Sequence, residues 1–405
     1  MNNKLFFLLL FLIVSSCSSE DSSNPNENPT NTSTDLKFKL SYKTSINSLH
    51  IRQVIKTKDN GYIAIAFAED FHIIKFDSNF NVVWEKFYGG SKKDYAESII
   101  EDSQGNFLIL GGSESINGNI EHNNGKFDIF LIKVDGNGNL IWSKNYGGSG
   151  DEGVSQDNTI IETNNGNFIF VGYTTSHDFD ISNNNGGYDV WVLNIDHNGN
   201  LIKQKTFGGS NDDTGRKITK FNNNFLITLR SNSSDNDFMQ IGNWVINIDS
   251  DLNIIWKKNT QGINSGCITV NNNEIFVVNS TYSNFEVHKL DSSGNITKSS
   301  SINFSSQTQK QPFANQIINS SDGGFFIIGD FGSGNNQDAI VFKINKDFDK
   351  VADKLIVGNN YDKSRSIFPV QTNRFIYLIN SLSTNLEIPL SGQMMSSVIT
   401  EIIEE

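Results

Sequence analysis

Cysteine, proline and positive charge are all scarce in this chain of 405 residues, and each scarcity removes a class of protein. Two cysteines, Cys17 and Cys267, cannot make a disulfide framework. Cys267 has no His near it in sequence and no nucleophile signature around it, so it reads as a buried, inert thiol. With 32 Lys and Arg against 45 Asp and Glu the formal charge is −13, which excludes nucleic acid or an anionic lipid surface as partner, since both demand a basic patch. The six His never fall at i, i+4 or in H-E-x-x-H, and there is no G-x-S-x-G elbow. No apolar run is long enough to cross a bilayer. Stretches of 3.6-residue period are nearly absent, leaving a chain dominated by Gly, Asn and β-branched residues. Nothing in it calls for a cofactor or a metal.

What is present is a strand pattern, clearest over residues 128–151, D-I-F-L-I-K-V-D-G-N-G-N-L-I-W-S-K-N-Y-G-G-S-G-D. Apolar runs break at Asp-Gly-Asn-Gly-Asn and again at Gly-Gly-Ser, giving strand, tight hairpin, strand, tight turn. Asn and Asp bond their own backbone there, and Gly reaches positive φ without a clash. The hairpin Asp recurs as Asp77, Asp135, Asp196, Asp249 and Asp291, then as Asn345, at separations of 42 to 61 residues, the period of four-stranded propeller blades. A second hairpin, such as Lys58-Asp59-Asn60-Gly61 or Ser103-Gln104-Gly105-Asn106, occurs seven times against six of the first. The last unit therefore lacks its outer strand, while residues 36–42 form an orphan copy of that strand at the other end of the chain. The expectation is an all-β, seven-bladed propeller over residues 36–405, built of four-stranded antiparallel blades and closed by an N-terminal strand that completes the last blade and removes the open sheet edges.

Ahead of it, Lys4 and an apolar run from Leu5 to Val14 have the length of a secretion-signal core. The run ends in Val14-Ser15-Ser16-Cys17, which resembles the lipobox of bacterial lipoproteins. That resemblance implies removal of residues 1–16 and lipid on Cys17, an anchor whose acyl chains each add about 0.8 kcal/mol per buried methylene. Residues 17–35, rich in Ser, Asn and Pro, cannot bury a core and form a disordered tether. The acidic patch Ser18-Ser19-Glu20-Asp21 resembles the surface-export signal of Bacteroidota lipoproteins, implying the outer leaflet of the outer membrane; an inward-facing periplasmic lipoprotein is the alternative.

The composite unit, Y-G-G-S-x-x-D, then D-G-G-F-I-I-x-G, then D-x-W-V-x-x-I-D-x-x-G-N, is similar to the β-propeller repeats of secreted and lipid-anchored Bacteroidota proteins. The match is best over residues 84–215 and implies a surface propeller with no settled activity. More distantly, residues 135–142 resemble the Trp-docking repeat of quinoprotein-like propellers. Trp84, Trp142 and Trp256 hold that position, read as packing between blades, and Lys203 and Lys298 replace it elsewhere.

Three further motifs match known sites incompletely, and calcium at Asp178 and Asp180 stays open. Gly148 to Gly153 satisfies G-x-G-x-x-G, but sister turns lack it and no helix follows. Asp178 and Asp180 place oxygens as a calcium loop begins, without its Gly or its terminal Glu. Thr57, Asp59 and Gly61 approximate the Asp-box of sialidase propellers, with the aromatic displaced.

Counting back from each second hairpin, the start of the inner strand carries Arg52, Glu97, Asn158, Arg216, Asn315 and Arg365, a polar ring at one mouth of the channel. Strand direction puts this mouth on the face of the long connections, residues 113–127, 174–188, 231–243 and 381–395, with Trp191 and Trp244 as candidate aromatic platforms. Long connections on a rigid scaffold are where binding resides. The expected function is a surface-anchored, non-enzymatic binding module whose ligand is a polysaccharide or an outer-membrane protein. A carbohydrate-active enzyme, marked by perturbed carboxylates at the channel end, and a structural scaffold, marked by an exposed apolar patch, are the alternatives.

Overall fold

The computed structural model describes residues 38–404 except 48, 156, 305–310, 333–336, 357–359 and 383–395. The chain separates into two units, Met1–Asp35 and Leu36–Glu405. The first, which holds Cys17 and the expected leader and tether, lies outside the described residues.

The second unit is a seven-bladed propeller, all strand and without helix among the described residues. Blades are numbered in chain order, 1 over residues 51–88, 2 over 94–146, 3 over 152–207, 4 over 213–261, 5 over 264–303, 6 over 312–356 and 7 over 362–381 and 396–404 with 38–47, and their strands from the channel outward. Blade 1 shows the plan: Ile51–Lys56, Tyr62–Ala66, Phe71–Phe76 and Val82–Tyr88, each antiparallel to the one before. In blade 3 the inner strand is split into Glu152–Gly153 and Ile160–Glu162, both pairing with Phe168–Thr174. Blade 7 is closed as expected: Phe38–Asn47 pairs antiparallel with Ser396–Glu404, Phe38 opposite Glu404 and Tyr42 opposite Thr400. A Lys43–Glu401 ion pair at 3.3 Å lies across the seam.

The core is not one body but seven, one apolar cluster between each pair of neighbouring blades. Successive residues of a middle strand point to opposite neighbours. Ile63 and Ile65 face blade 2, while Tyr62, Ala64 and Ala66 face blade 7. Middle strands such as Phe107–Ser113 and Asp128–Val134 are therefore buried at every position, which is why they appear in sequence as continuous apolar runs.

The repeated turns lock one blade to the next. Trp84, Trp142 and Trp256 donate their indole N–H to carbonyls in the following blade's D-x-x-G-N hairpin, at Gly136 (3.0 Å), His197 (3.2 Å) and Ser292 (3.0 Å). The Asp-box-like run is a hairpin lock: Gly61 N–H donates to Asp59 Oδ1 at 3.0 Å, and the buried Lys75 pairs with the same carboxylate at 2.8 Å. Lys133 with Asp102 and Lys343 with Asp322 repeat it.

Candidate functional site

Every inner strand leaves regular pairing near its start. The register shifts between Ile51 and Gln53, Ala96 and Ser98, Gly215 and Lys217, Ala314 and Gln316, and Ser364 and Ser366. The extra residues are Arg52, Glu97, Arg216, Asn315 and Arg365, five of the six ring positions expected from sequence. The sixth, Asn158, lies in the gap that splits the inner strand of blade 3 and takes a φ of 58°. A β-bulge re-aims a side chain and strands backbone groups. Arg52, Glu97, Arg216 and Arg365 are each half-buried between buried neighbours, as a side chain lining a channel would be, and Asn158 and Asn315 are half-buried too. The residue after the bulge repairs the backbone of the adjoining blade: Gln53 Oε1 accepts from Ile99 N (2.7 Å), Gln316 Oε1 from Ile367 N (3.0 Å), and Ser98 Oγ from Thr159 N (3.2 Å). The ring is thus fixed by the bonds that join the blades.

Blades 6, 7, 1 and 2 together build one arc of the mouth. Arg52 pairs with Glu97 at 3.1 Å and stacks its guanidinium over Phe67, 5.4 Å from the ring centre. Arg365 donates to His50 Nε2 at 2.5 Å. Burial, then the charges of Arg365, Arg52 and Lys363, hold His50 down at about 3, so it is the neutral acceptor this bond requires. Burial raises Glu97, opposed by Arg52, and lowers Lys363 and Arg365. Burial also lifts Asp330 to about 6; its oxygens accept from Ser364 N (2.6 Å) and Asn315 Nδ2 (2.7 Å). Of the two raised carboxylates that act on the ring cations Arg365 and Lys363, Asp330 is closed off and only Glu97 lines the channel.

Blade 4 forms a different arc. Arg216 has a buried Nε without a partner and makes no hydrogen bond or ion pair among the described residues. Burial lowers it first, and Arg230 second. Arg230, on the adjoining strand Asn224–Ser231, donates Nη1 to Gly262 O at 2.9 Å.

The connections over this mouth are clamped down. Asp178 Oδ1 accepts from Ser149 N (2.8 Å) and Asp180 Oδ2 from Gly147 N (3.0 Å). In blade 4, Asp235 and Asp237 hold Ser210 N and Gly208 N in the same way, and in blade 2 Asn117 and Asn119 hold Ser91 N and Gly89 N. Asn serves as well as Asp, so the D-x-D spacing is a turn clamp rather than the start of a calcium loop. Among the described residues no group of three or more His, Cys, Asp or Glu is placed to hold a metal ion. The fourth long connection, 381–395, lies almost wholly outside the described residues.

The aromatic platforms need correction. Trp191 is 0% exposed, packed in the cluster between blades 2 and 3 with its N–H on Gln204 Oε1 at 3.0 Å. Trp244 is 8% exposed, set against Phe238 with its N–H on Gln240 O at 3.0 Å. Both stand on third strands, which are buried on both faces, so neither offers a ring to a ligand. The connections themselves expose Phe67, Ile116 (62%), Phe179 (70%), Met239, Ile241 and Tyr282 (77%). These lie between the second and third strands of blades 1 to 5, all on the ring's face.

Sequence reasoning also missed His50, Asp330, Lys363 and Arg230. Lys363 was legible, two residues before Arg365 on the same inner strand. Asp330 and Arg230 end second strands and reach the ring only through strand pairing, Asp330 opposite Phe313 and Arg230 opposite Thr214.

No family model and no curated protein matches this chain. Among solved structures it is similar to the Dos1 propeller, at 11% identity over 86% of this chain and 78% of that one, with a TM-score of 0.50. It is also similar to BamB of Moraxella catarrhalis (13% identity, 89% and 99% covered, TM-score 0.44) and to a member of the DUF4221 family from Bacteroides vulgatus (10%, 92% and 100%, 0.45). At 11% identity the likeness to the Dos1 propeller is one of fold alone.

Proposed function

We propose that this chain is a non-enzymatic binding module, held to the outer membrane by lipid on Cys17, displayed at the cell surface, and engaging a polysaccharide or an outer-membrane protein through the mouth that the long connections surround. One observation carries the reading: five consecutive blades each hold a large apolar side chain out into water on that one face. Apolar side chains gathered on one surface are what interaction sites have in common. The two kinds of short hairpin at the opposite face hold no such residue among the described residues, and the other exposed apolar side chains lie along outermost strands. A hydrolase of the two-carboxylate kind needs both acids in reach of substrate, and the engagement of Asp330 argues against that use of the mouth.

The test uses the full chain in detergent, screened against purified polysaccharides and outer-membrane extracts. Ile116→Asp with Phe179→Asp should cut affinity for the captured ligand at least tenfold. Unchanged affinity refutes the choice of face, and turnover of the ligand by wild type refutes a non-enzymatic role. For the address, mass spectrometry of mature protein should find acyl chains on Cys17; an unmodified Cys17 ends that part of the reading.

A further inference from the structure

Arg216 and Arg230 stand apart from the other cations of the mouth in having no carboxylate acting on them. In blades 1 and 6 the bulge residue meets a residue at or just past the end of the second strand of its own blade. In blade 1 that places Arg52 over the Phe67 ring, and in blade 6 it places Asn315 on the Asp330 carboxylate at 2.7 Å. Blade 4 puts a second cation there instead, so that two guanidinium groups share one corner of the channel. Arg52 has Glu97, and Asp330 and Glu97 act on Arg365 and Lys363, whereas Arg216 has no ion pair among the described residues and only the charge of Arg230 beside it; its buried Nε, like those of Arg52 and Arg365, has no partner. Lys217, its chain neighbour, is already held by Asp157 at 2.7 Å.

A charge withdrawn from water without a counter-charge is costly to keep, and more so beside a like charge. The chain as a whole is strongly acidic, at −13, so carboxylates were abundant and none is set here. Guanidinium groups are planar forks matched to the paired oxygens of carboxylate, sulfate and phosphate. Tyr282, 77% exposed on the next blade, is a neighbour of Arg230, so the corner is flanked by an open aromatic ring.

We propose that Arg216 and Arg230 are a binding site for an oxyanion, the carboxylate or the sulfate or phosphate ester group of the ligand that enters this mouth. The anion supplies the counter-charge the fold omits, with Arg216 presenting its fork and Arg230, already tethered to Gly262 O, adding a second donor set. This rests on the preceding reading that ligands engage this face.

The experiment titrates the full chain in detergent with sodium sulfate, phosphate, acetate and galacturonate at constant ionic strength, with chloride as reference, reading thermal midpoint and calorimetric affinity. At least one oxyanion should raise the midpoint by several degrees over chloride. Arg216→Gln and Arg230→Gln should each weaken its binding at least tenfold, and Arg216→Lys, which keeps the charge and loses the fork, should fall between. Sulfate or phosphate binding alone assigns an ester group; carboxylate binding alone assigns an acid. No effect beyond chloride from any of the four, or binding by both Gln variants equal to wild type, overturns the proposal. The two readings fail separately. Partner binding lost in Ile116→Asp with Phe179→Asp, with no oxyanion effect, removes the anion site and keeps the face; oxyanion binding with partner binding indifferent to those substitutions removes the face and keeps the site.

Discussion

The indole of Trp256 covers Gly294 of the next blade so closely that a Cβ on that glycine would lie 2.5 Å from Trp256 Cε3. Gly294 also holds a φ of 81°. Trp84 over Gly138 and Trp142 over Gly199 repeat the arrangement. Where Lys203 and Lys298 replace the Trp, the facing turn carries Leu252 and Phe348 at the glycine position, and each Lys pairs with an Asp of that turn, Asp251 at 3.1 Å and Asp347 at 3.3 Å. Gly294→Leu should therefore destabilise the protein by about 2 kcal/mol or more, from overpacking and positive φ together. Adding Trp256→Lys should recover at least half of that in a denaturant double-mutant cycle; strictly additive effects would show that the two positions do not answer to each other.

Asp128 and Glu152 converge on Gly147, whose added Cβ would lie 2.2 Å from Asp128 Oδ1 and 3.0 Å from Glu152 Oε2. Burial, then Glu152 and Asp180, lifts Asp128 to about 7, and Asp189 beside Asp213 rises likewise to about 7. The folded state then holds protons that the unfolded chain releases near pH 4, so stability falls as pH rises from about 4 to 7 and stays lower above. Asp128→Asn should stabilise at pH 8, on the order of 1 to 3 kcal/mol, and do little at pH 4. A gain equal at both values would refute a protonated Asp128.

His50 sits on the opposite side of neutrality. Because it accepts from Arg365 among three nearby cations, its ring resonances should not titrate between pH 5 and 8 by NMR. Unfolded chain takes up a proton near pH 6.5 that the folded protein refuses, so this group lowers stability as pH falls from there toward 3. A midpoint near 6.5 in the folded protein would contradict the bond to Arg365.

Removing residues 36–44 takes away most of the strand that covers Ser396–Glu404 and leaves its edge unpaired. The shortened protein should melt several degrees lower and form oligomers on light scattering. Unfolding at the wild-type temperature as a monomer would mean that the seam does not hold the ring.

The blade count, the hairpins, the inter-blade Trp and the closing strand were legible because each repeats: a turn that needs Asp, Gly and Asn at fixed offsets spells itself out six or seven times. The ring could be located for the same reason, since Arg52, Arg216 and Arg365 stand at one offset from one hairpin. The role of Trp191 was not legible. In a middle strand buried on both faces, alternation vanishes, and a Trp for the core looks the same as a Trp for a ligand.

By itself, then, the sequence determined local geometry and the number of times it is used, because turn chemistry and apolar runs act over a few neighbours. Tertiary structure alone decided that the ring residues are bulges, that Asp330 is held by Ser364 and Asn315 behind one arc, and that Arg216 meets Arg230 with no counter-charge. Those outcomes depend on which strands pair and in what register, and charge acts through space between residues that chain order keeps apart.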